Sequence, residues 1–468
     1  MLMDHYAVIV IGGGGGGYPA AFRLAASGKT VLMIDHHGTM GGNCLYDGCV
    51  PSKAVREASV LQHQIAGAQF FGVSASLQPT QWSAIRAYKD QVQSARYSQH
   101  AETIRTTAGI TVLRGEGQLV DAHRVKVIYQ EDGSPREQTV TGQDLVIATG
   151  SITESAPITG LEHAWTSHDL FAWQDAITAL PHDIVILGGG YIGVEAASML
   201  SDLGVQVTLI EREHTLLSSM DQEIVSMLTE RLAQRVKIVL DTSVDTIVPQ
   251  DGRFVVQGRG PSGAPVTWTT DRVLAALGRI PCLPPALGLD HAGVESTPQG
   301  IIVNGRMQTN VPHVYAPGDV NGQSMLLHAA ERMSHMVAQM ISAGSTAEPF
   351  RPEEMPLTVF SRPATMSVGL TAAVARQQGL AVYEEQRAMQ AEDWALIRGE
   401  PEGFYKFVVS KATGRIVGAH AIGIDAVALS SVSHMIVRLG LTPQDVSVMA
   451  FPHPTQFEIV NALAWNNT

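Results

Sequence analysis

Short, almost wholly apolar runs recur along this chain, and the most telling of them end on glycine or on a carboxylate. Val8–Asp35 reads VIVIGGGGGGYPAAFRLAASGKTVLMID. An apolar run closed by glycines predicts a buried strand. The small-residue stretch after it predicts a helix, Gly28 a stop, and the second apolar run another strand. Ile184–Glu211 reads IVILGGGYIGVEAASMLSDLGVQVTLIE. With Gly12 set on Gly188, the pairs Gly14/Gly190, Gly17/Gly193, Gly28/Gly204 and Asp35/Glu211 fall in register. Each copy predicts a βαβ unit, so the chain carries an internal repeat.

Between the copies, Pro79 to Ala108 has a helical pattern, and DLVIATGS at Asp144–Ser151 predicts another buried strand ending in a glycine turn. VYAPGD at Val314–Asp319 predicts a short strand ending in glycine and a carboxylate. Met325–Met340 predicts a helix whose methionines belong to a core. From about Pro349 the pattern changes: strands at Phe404–Ser410 and Ile416–Ile422 alternate with helices such as Ala426–Gly440. That alternation predicts a separate α+β domain.

The repeat has a specific chemistry. The first glycine lets the strand turn into the helix, the second lets the backbone approach a pyrophosphate, and the third lets helix and sheet pack closely. N–H groups at the helix N-terminus then hold phosphate, and the closing carboxylate accepts hydrogen bonds from a ribose. Two such units suggest two dinucleotides, most simply a flavin and a nicotinamide. Glu211 in the second copy favours NAD, because it would repel a 2′-phosphate. Arg212 should point to the opposite side of the strand end.

Composition adds exclusions. The 468 residues suggest two to four domains, and a formal net charge of −13 without a basic block argues against nucleic acid or an anionic membrane surface. No run is long enough to predict a membrane span. Met1–Tyr6 has no Lys or Arg, so no secretory signal is expected, and a cytoplasmic location follows. Three cysteines are too few for a disulfide framework, which makes a close pair catalytic or metal-binding.

That pair is Cys44 and Cys49, in GGNCLYDGCVPSK from Gly41 to Lys53. On an ideal helix such a spacing puts the Cα atoms about 8–9 Å apart, whereas a disulfide spans at most about 6.8 Å. A bridge therefore requires a distorted turn, which Gly48 can provide. Redox use competes here with two reduced core thiols and with half of a metal site, for which no further ligands lie nearby. Lys53 is either a solvated residue or a cation lining a flavin, with Glu195 as a plausible partner. Near the C-terminus, His453 and Glu458 in FPHPTQFEIV (Phe451–Val460) read as an acid–base group and its orienter, or as a structural histidine. The His453–Pro454 bond is expected to be cis. Cys282 reads as an ordinary semi-buried thiol, and His36, His37, His328 and His335 as surface or packing residues.

Together these residues resemble the pyridine nucleotide–disulfide oxidoreductase family, and within it the dihydrolipoamide dehydrogenase branch. The resemblance spans essentially the whole chain: Gly12, Gly14 and Gly17 with Asp35; Gly42 and the cysteine motif to Lys53; Thr149 and Gly150 of ATGS; Gly188, Gly190 and Gly193 with Glu195 and Glu211; Gly278-Arg279; Asp319; and His453-Pro454-Thr455 with Glu458. It implies an α/β fold with two Rossmann-like domains, for FAD and NAD, and a C-terminal α+β dimerisation domain. The implied division is 1–150 for FAD, 151–277 for NAD, 278–348 returning to FAD, and 349–468 at the interface. It also implies a homodimer in which His453 and Glu458 serve the other subunit's disulfide. Cys44 would exchange with substrate, Cys49 would be the thiolate against the flavin, Lys53 and Glu195 would flank the ring, and Asp319 would contact the ribityl chain. The implied substrate is a small dithiol or a lipoyl-carrier protein. Another disulfide, or a mainly structural flavoprotein role, is the alternative. The chain departs from the pattern at Tyr46-Asp47, Phe451-Pro452 and Cys282.

Overall fold

The computed structural model describes residues 3–131, 133–174, 177–343 and 348–465. The first two residues of the Met1–Tyr6 stretch and the last three of the chain lie outside them. The first unit runs β1 (His5–Ile11), α1 (Tyr18–Ala26), β2 (Val31–Asp35), α2 (Gly42–Tyr46), α3 (Cys49–Gly67), α4 (Trp82–Thr106), β3 (Ile110–Leu119), β4 (Arg124–Glu131) and β5 (Ser134–Ile147). β1 lies parallel between β2 (Val8↔Val31) and β5 (Val8↔Asp144). The first half of β3 extends the sheet beyond β2, and Val314–Tyr315 extends it beyond β5. Both faces of β1 are covered. Val8 and Val10 pack with α1 and the helix Leu327–Ala343, while Ile9 and Ile11 pack beneath residues 287–320. This is why the run is uniformly apolar rather than alternating.

The second unit repeats the plan beyond the fingerprint. Strands 272–275, 183–187, 206–210 and 236–239 form a parallel sheet in that order. Strands 243–250, 253–259 and 265–270 form an antiparallel meander, as the outer half of β3, β4 and the first half of β5 do in the first unit. The C-terminal region is an antiparallel five-stranded sheet, ordered 357–359, 364–369, 416–423, 403–410, 382–388. Tyr405, Phe407 and Val409 bury one face of it against Ala426–Leu439 and Glu458–Trp465. The expected helix over 79–108 begins later, at Trp82, and the expected methionine helix begins at Leu327 and buries Met333 and Met336. Among the described residues no helix is long and apolar enough to cross a membrane.

Candidate active site

The two glycine turns are built alike. A Cβ on Gly17 would lie 1.9 Å from the Gly12 carbonyl oxygen, and one on Gly193 would lie 1.9 Å from that of Gly188. Only glycine lets strand and helix approach this closely. Asp35 accepts the N–H groups of Gly13 (2.9 Å) and His37 (2.8 Å). Glu211 accepts those of Gly189 (2.5 Å) and Glu213 (2.8 Å). Each carboxylate thus ties the glycine turn to the strand end and retains lone pairs for ribose hydroxyls. Arg212 points into solvent and pairs with Glu213.

These turns fit dinucleotides. α1 and the helix Tyr191–Asp202 begin with no side-chain cap and no acidic residue in the first turn. The second helix therefore keeps its first N–H groups available to a diphosphate, whereas at α1 the Tyr18 and Ala20 N–H groups already donate to Gly14 O (3.0 Å) and Ser334 Oγ (2.9 Å) and Pro19 has none, which leaves a diphosphate there to the N–H groups of the glycine turn itself. A Cβ on Gly190 would meet nothing within 4 Å, and one on Gly14 would meet only the Gly42 Cα at 3.8 Å.

The cysteine segment breaks where a bridge requires it to. α2 ends at Tyr46, and Gly48 caps α3 with φ −118° and ψ −114°. A Cβ on Gly48 would lie 2.8 Å from the Asn43 carbonyl oxygen. Cys44 is half-buried and Cys49 exposed, and the two are unbridged. Interaction with the Cys49 sulfur pushes the Cys44 pKa far up, with burial adding to it. The same interaction lowers the Cys49 pKa, helped by the Lys53 charge. The two shifts run in opposite directions, which makes Cys49 the more acidic thiol of the pair. Lys53 pairs with Glu195 at 2.6 Å, a contact spanning 142 residues of sequence. Its ammonium sits 4.3 Å from the Phe360 ring centroid, and the Phe360 N–H donates to Glu195 at 2.9 Å. The cysteine helix, the second fingerprint and the C-terminal region meet at this point.

The ATGS turn and the Asp319 turn also converge. The Ser151 hydroxyl donates to Asp319 at 2.6 Å, and Arg279 donates to the Ser151 hydroxyl (2.8 Å) and carbonyl (2.6 Å). Burial pushes the Asp319 carboxyl up, against the pull of Ser151 and Arg279. Thr149 donates to the Cys282 carbonyl at 2.8 Å beside Gly150, whose φ is +74°. Gly278 faces Glu154, whose Oε2 lies 2.8 Å from where a Cβ would stand. Ser151, Arg279 and Phe360 received no role from sequence. The first two lie inside quoted motifs, but their contact crosses 128 residues.

His453 is exposed, and its bond to Pro454 is cis, as expected. Glu458 lies 2.9 Å from Nδ1, and Asp393 lies 3.8 Å from Nε2. The hydrogen bond to Glu458 leads in raising the imidazole pKa, followed by the Glu458 and Asp393 charges. No hydrogen bond among the described residues joins this pair to the chain's own Cys44 or Cys49. Cys282 is half-buried and His37 stacks on Tyr46, both in keeping with the sequence reading.

Residues 6–334 match the pyridine nucleotide-disulphide oxidoreductase model, and residues 355–464 match the dimerisation domain of the same family. The chain belongs to this family. It is 31% identical to dihydrolipoyl dehydrogenase 3 of Haloarcula marismortui, covering 98% of this chain and 96% of that protein. It is 31% identical to dihydrolipoyl dehydrogenase of Bacillus subtilis, covering 95% and 94%. Among solved structures, the Cu(II) complex of the HOCl-induced flavoprotein disulfide reductase RclA from Escherichia coli superposes with a TM-score of 0.86 at 25% identity, over 100% of both chains. The protein is accordingly a pyridine nucleotide-disulfide oxidoreductase that uses FAD and a pyridine nucleotide.

Proposed function

We propose that this oxidoreductase oxidises a dihydrolipoyl group with NAD+ as acceptor, acting as a homodimer in the cytoplasm on a small dithiol or a lipoyl-carrier protein. The observation that supports it is the pair itself: free Cys44 and Cys49 on either side of the Gly48 break, with Lys53, held by Glu195 at 2.6 Å, one helical turn beyond Cys49. This is the arrangement a dithiol leaves behind after reducing a Cys44–Cys49 bridge. Likeness to dihydrolipoyl dehydrogenases over nearly the full chain supports the substrate class. Ser52, where glutathione reductases carry lysine, argues against glutathione.

In the proposed cycle one substrate thiolate attacks Cys44 of the bridge and releases Cys49 as thiolate. The second substrate sulfur then displaces Cys44 from the mixed disulfide, giving a cyclic disulfide product and the Cys44 thiol. Of the two thiol protons, one remains on Cys44 and the other passes to His453 of the partner subunit, oriented by its Glu458. FAD held by Gly12, Gly14, Gly17, Asp35, Gly42, Thr149, Gly150 and Asp319 would supply the two-electron relay from Cys49 to nicotinamide. Lys53, fixed by Glu195, places a cation against that relay. Gly188, Gly190, Gly193, Glu211 and Gly278 serve the nucleotide. The corresponding division is 1–150 and 278–348 for FAD, 151–277 for NAD and 349–468 for the interface.

A second reading is reduction of another disulfide by reduced pyridine nucleotide. Tyr46-Asp47, between the cysteines, and Phe451, two positions before His453, favour it, because the first departs from the family's usual pair and the second from the dihydrolipoamide branch's usual histidine. A steady-state panel of dihydrolipoamide and reduced glutathione, each with NAD+ and NADP+, separates the readings. Turnover is expected with dihydrolipoamide and NAD+. Cys44→Ser and Cys49→Ser should each abolish it, with a long-wavelength charge-transfer band only in Cys44→Ser, where Cys49 remains. Substantial dithiol activity in both variants would sink the redox-pair assignment.

A further inference from the structure

α4 has an unusual buried stripe. Trp82, Lys89, Gln93 and His100 are its buried residues, and Lys89 and Gln93 are wholly inaccessible. Their spacing puts them on one face. That face carries four hydrogen-bond donors where a core stripe would be apolar. Each donates to the carbonyl of a segment lying across the helix: Trp82 to Ile177 (3.0 Å), Lys89 to Phe171 (3.3 Å) and Ala172 (2.6 Å), and His100, through Nδ1, to Met40 (2.7 Å).

Gln93 has the most consequential partners. Its Nε2 donates to Leu45 O at 3.0 Å and to Tyr46 O at 2.7 Å. These are the last two residues of α2, directly after Cys44, and an α-helix leaves such carbonyls without intrahelical partners. One amide thus satisfies two of the four carbonyls between the cysteines. The Lys89 ammonium donates to Gln93 Oε1 at 3.2 Å, which fixes the amide so that its N–H groups face the loop. Lys89 is itself held by Asp90 (2.9 Å) and by the linker carbonyls of Phe171 and Ala172.

We propose that Gln93 is a positioning residue for the cysteine pair: by clamping the Leu45 and Tyr46 carbonyls from α4, it holds the Cys44 thiol against the Cys49 sulfur. The inference rests on the reading of Cys44 and Cys49 as the redox pair, and it adds the residue that sets their geometry. Without the clamp, two desolvated carbonyls must find other donors. The short α2 helix then turns, Cys44 moves away from Cys49, and Cys49 becomes less acidic.

The test uses the full-length flavoprotein reduced with dithiol, measuring the pH dependence of iodoacetamide alkylation at Cys49. Gln93→Met keeps the length and removes both N–H groups. Its Cys49 alkylation at neutral pH should fall about tenfold, with the midpoint displaced to higher pH by about one unit, since a tenfold rate change corresponds to one pH unit of thiolate titration. Gln93→Asn, which keeps the amide but cannot span both carbonyls, should move the profile the same way by less, and it serves if Gln93→Met does not fold. Trp82→Phe removes a donor from the same stripe away from the cysteines. It should lower the melting temperature and leave the alkylation profile in place. An unshifted profile in both Gln93 variants, or an equal shift in Trp82→Phe, would overturn the positioning role. A parent enzyme lacking a low-pH thiolate would overturn the redox-pair reading, and the positioning role with it.

Discussion

The two glycine turns share a backbone and differ in what stands over them. Over the first, a Cβ on Gly16 would lie 2.4 Å from Pro317 O, one on Gly15 2.6 Å from Leu327 Cδ1, and one on Gly42 2.7 Å from the Gly14 Cα. Three distant segments close around that turn, and its carboxylate, Asp35, is buried. Over the second turn the positions matching Gly15 and Gly16 are the half-buried Tyr191 and Ile192, and Glu211 is half-buried too, although Gly190 is as open as its counterpart Gly14. The fingerprint encodes dinucleotide recognition in both copies. The surrounding chain encodes how long the dinucleotide stays: a closed cradle suits a resident flavin, and an open one suits a nucleotide that exchanges every turnover.

The largest effect should come from opening the closed cradle. Gly42 has φ +53° and touches Gly14, so Gly42→Ala costs left-handed strain, about 1–2 kcal/mol, and a backbone clash. The variant is expected to purify with less than about half the parent's flavin per chain. Gly190→Ala in the open cradle meets no protein atom. It should keep full flavin and raise the KM for pyridine nucleotide about tenfold, the equivalent of about 1.4 kcal/mol. Flavin absorbance per chain and nucleotide KM read both. Equal flavin loss in the two variants would remove the distinction between the cradles.

A smaller effect sharpens the same contrast at the carboxylates. Glu211 should favour NAD(H) over NADP(H) by at least about a hundredfold in kcat/KM, since a 2′-phosphate would face its charge. Glu211→Ala should erode that ratio. Asp35→Ala, its counterpart in the closed turn, should weaken flavin retention and leave the nucleotide ratio alone. An unchanged ratio in Glu211→Ala would mean another residue selects the nucleotide. The exposed Arg212 at the same strand end is the first candidate.

What the sequence shows and what it hides divide along the same physical line. The two βαβ units are legible because glycine spacing and apolar runs are local. The antiparallel meander of the first unit is not, because β3 and β5 each change partner midway, parallel at one end and antiparallel at the other. A single strand pattern cannot express two neighbours. Cys44, Cys49, Asp35 and Glu211 could be singled out because their motifs are local. The Lys53–Glu195 pair could be suspected but not placed, since it joins two helices across 142 residues. The α4 stripe left no signal at all. Its partners are backbone carbonyls, which every residue carries, so nothing in the sequence of 40–46 or 171–177 announces that a donor is waiting.

The smallest expected effect lies outside both cradles and serves as their control. His453 must be neutral to take a proton, and carboxylates on both sides oppose that: Glu458 at Nδ1 and Asp393 near Nε2. Both favour the imidazolium and raise the pKa, with Glu458 leading. A raised pKa keeps the base protonated to higher pH, so the rising limb of the dithiol half-reaction lies above that of an unpaired histidine. Asp393→Asn removes the weaker of the two charges, and the limb should move to lower pH. Glu458→Gln should move it further in the same direction, and it should also lower the plateau, because the ring loses its orienter. In Asp393→Asn the plateau, the flavin content and the NAD(H) preference should all stay at parent values. Rapid-mixing reduction by dihydrolipoamide across a pH series measures the limb. If Asp393→Asn leaves it in place while Glu458→Gln moves it, the Asp393 carboxylate does not act on Nε2 in the working dimer, and Glu458 alone tunes the base.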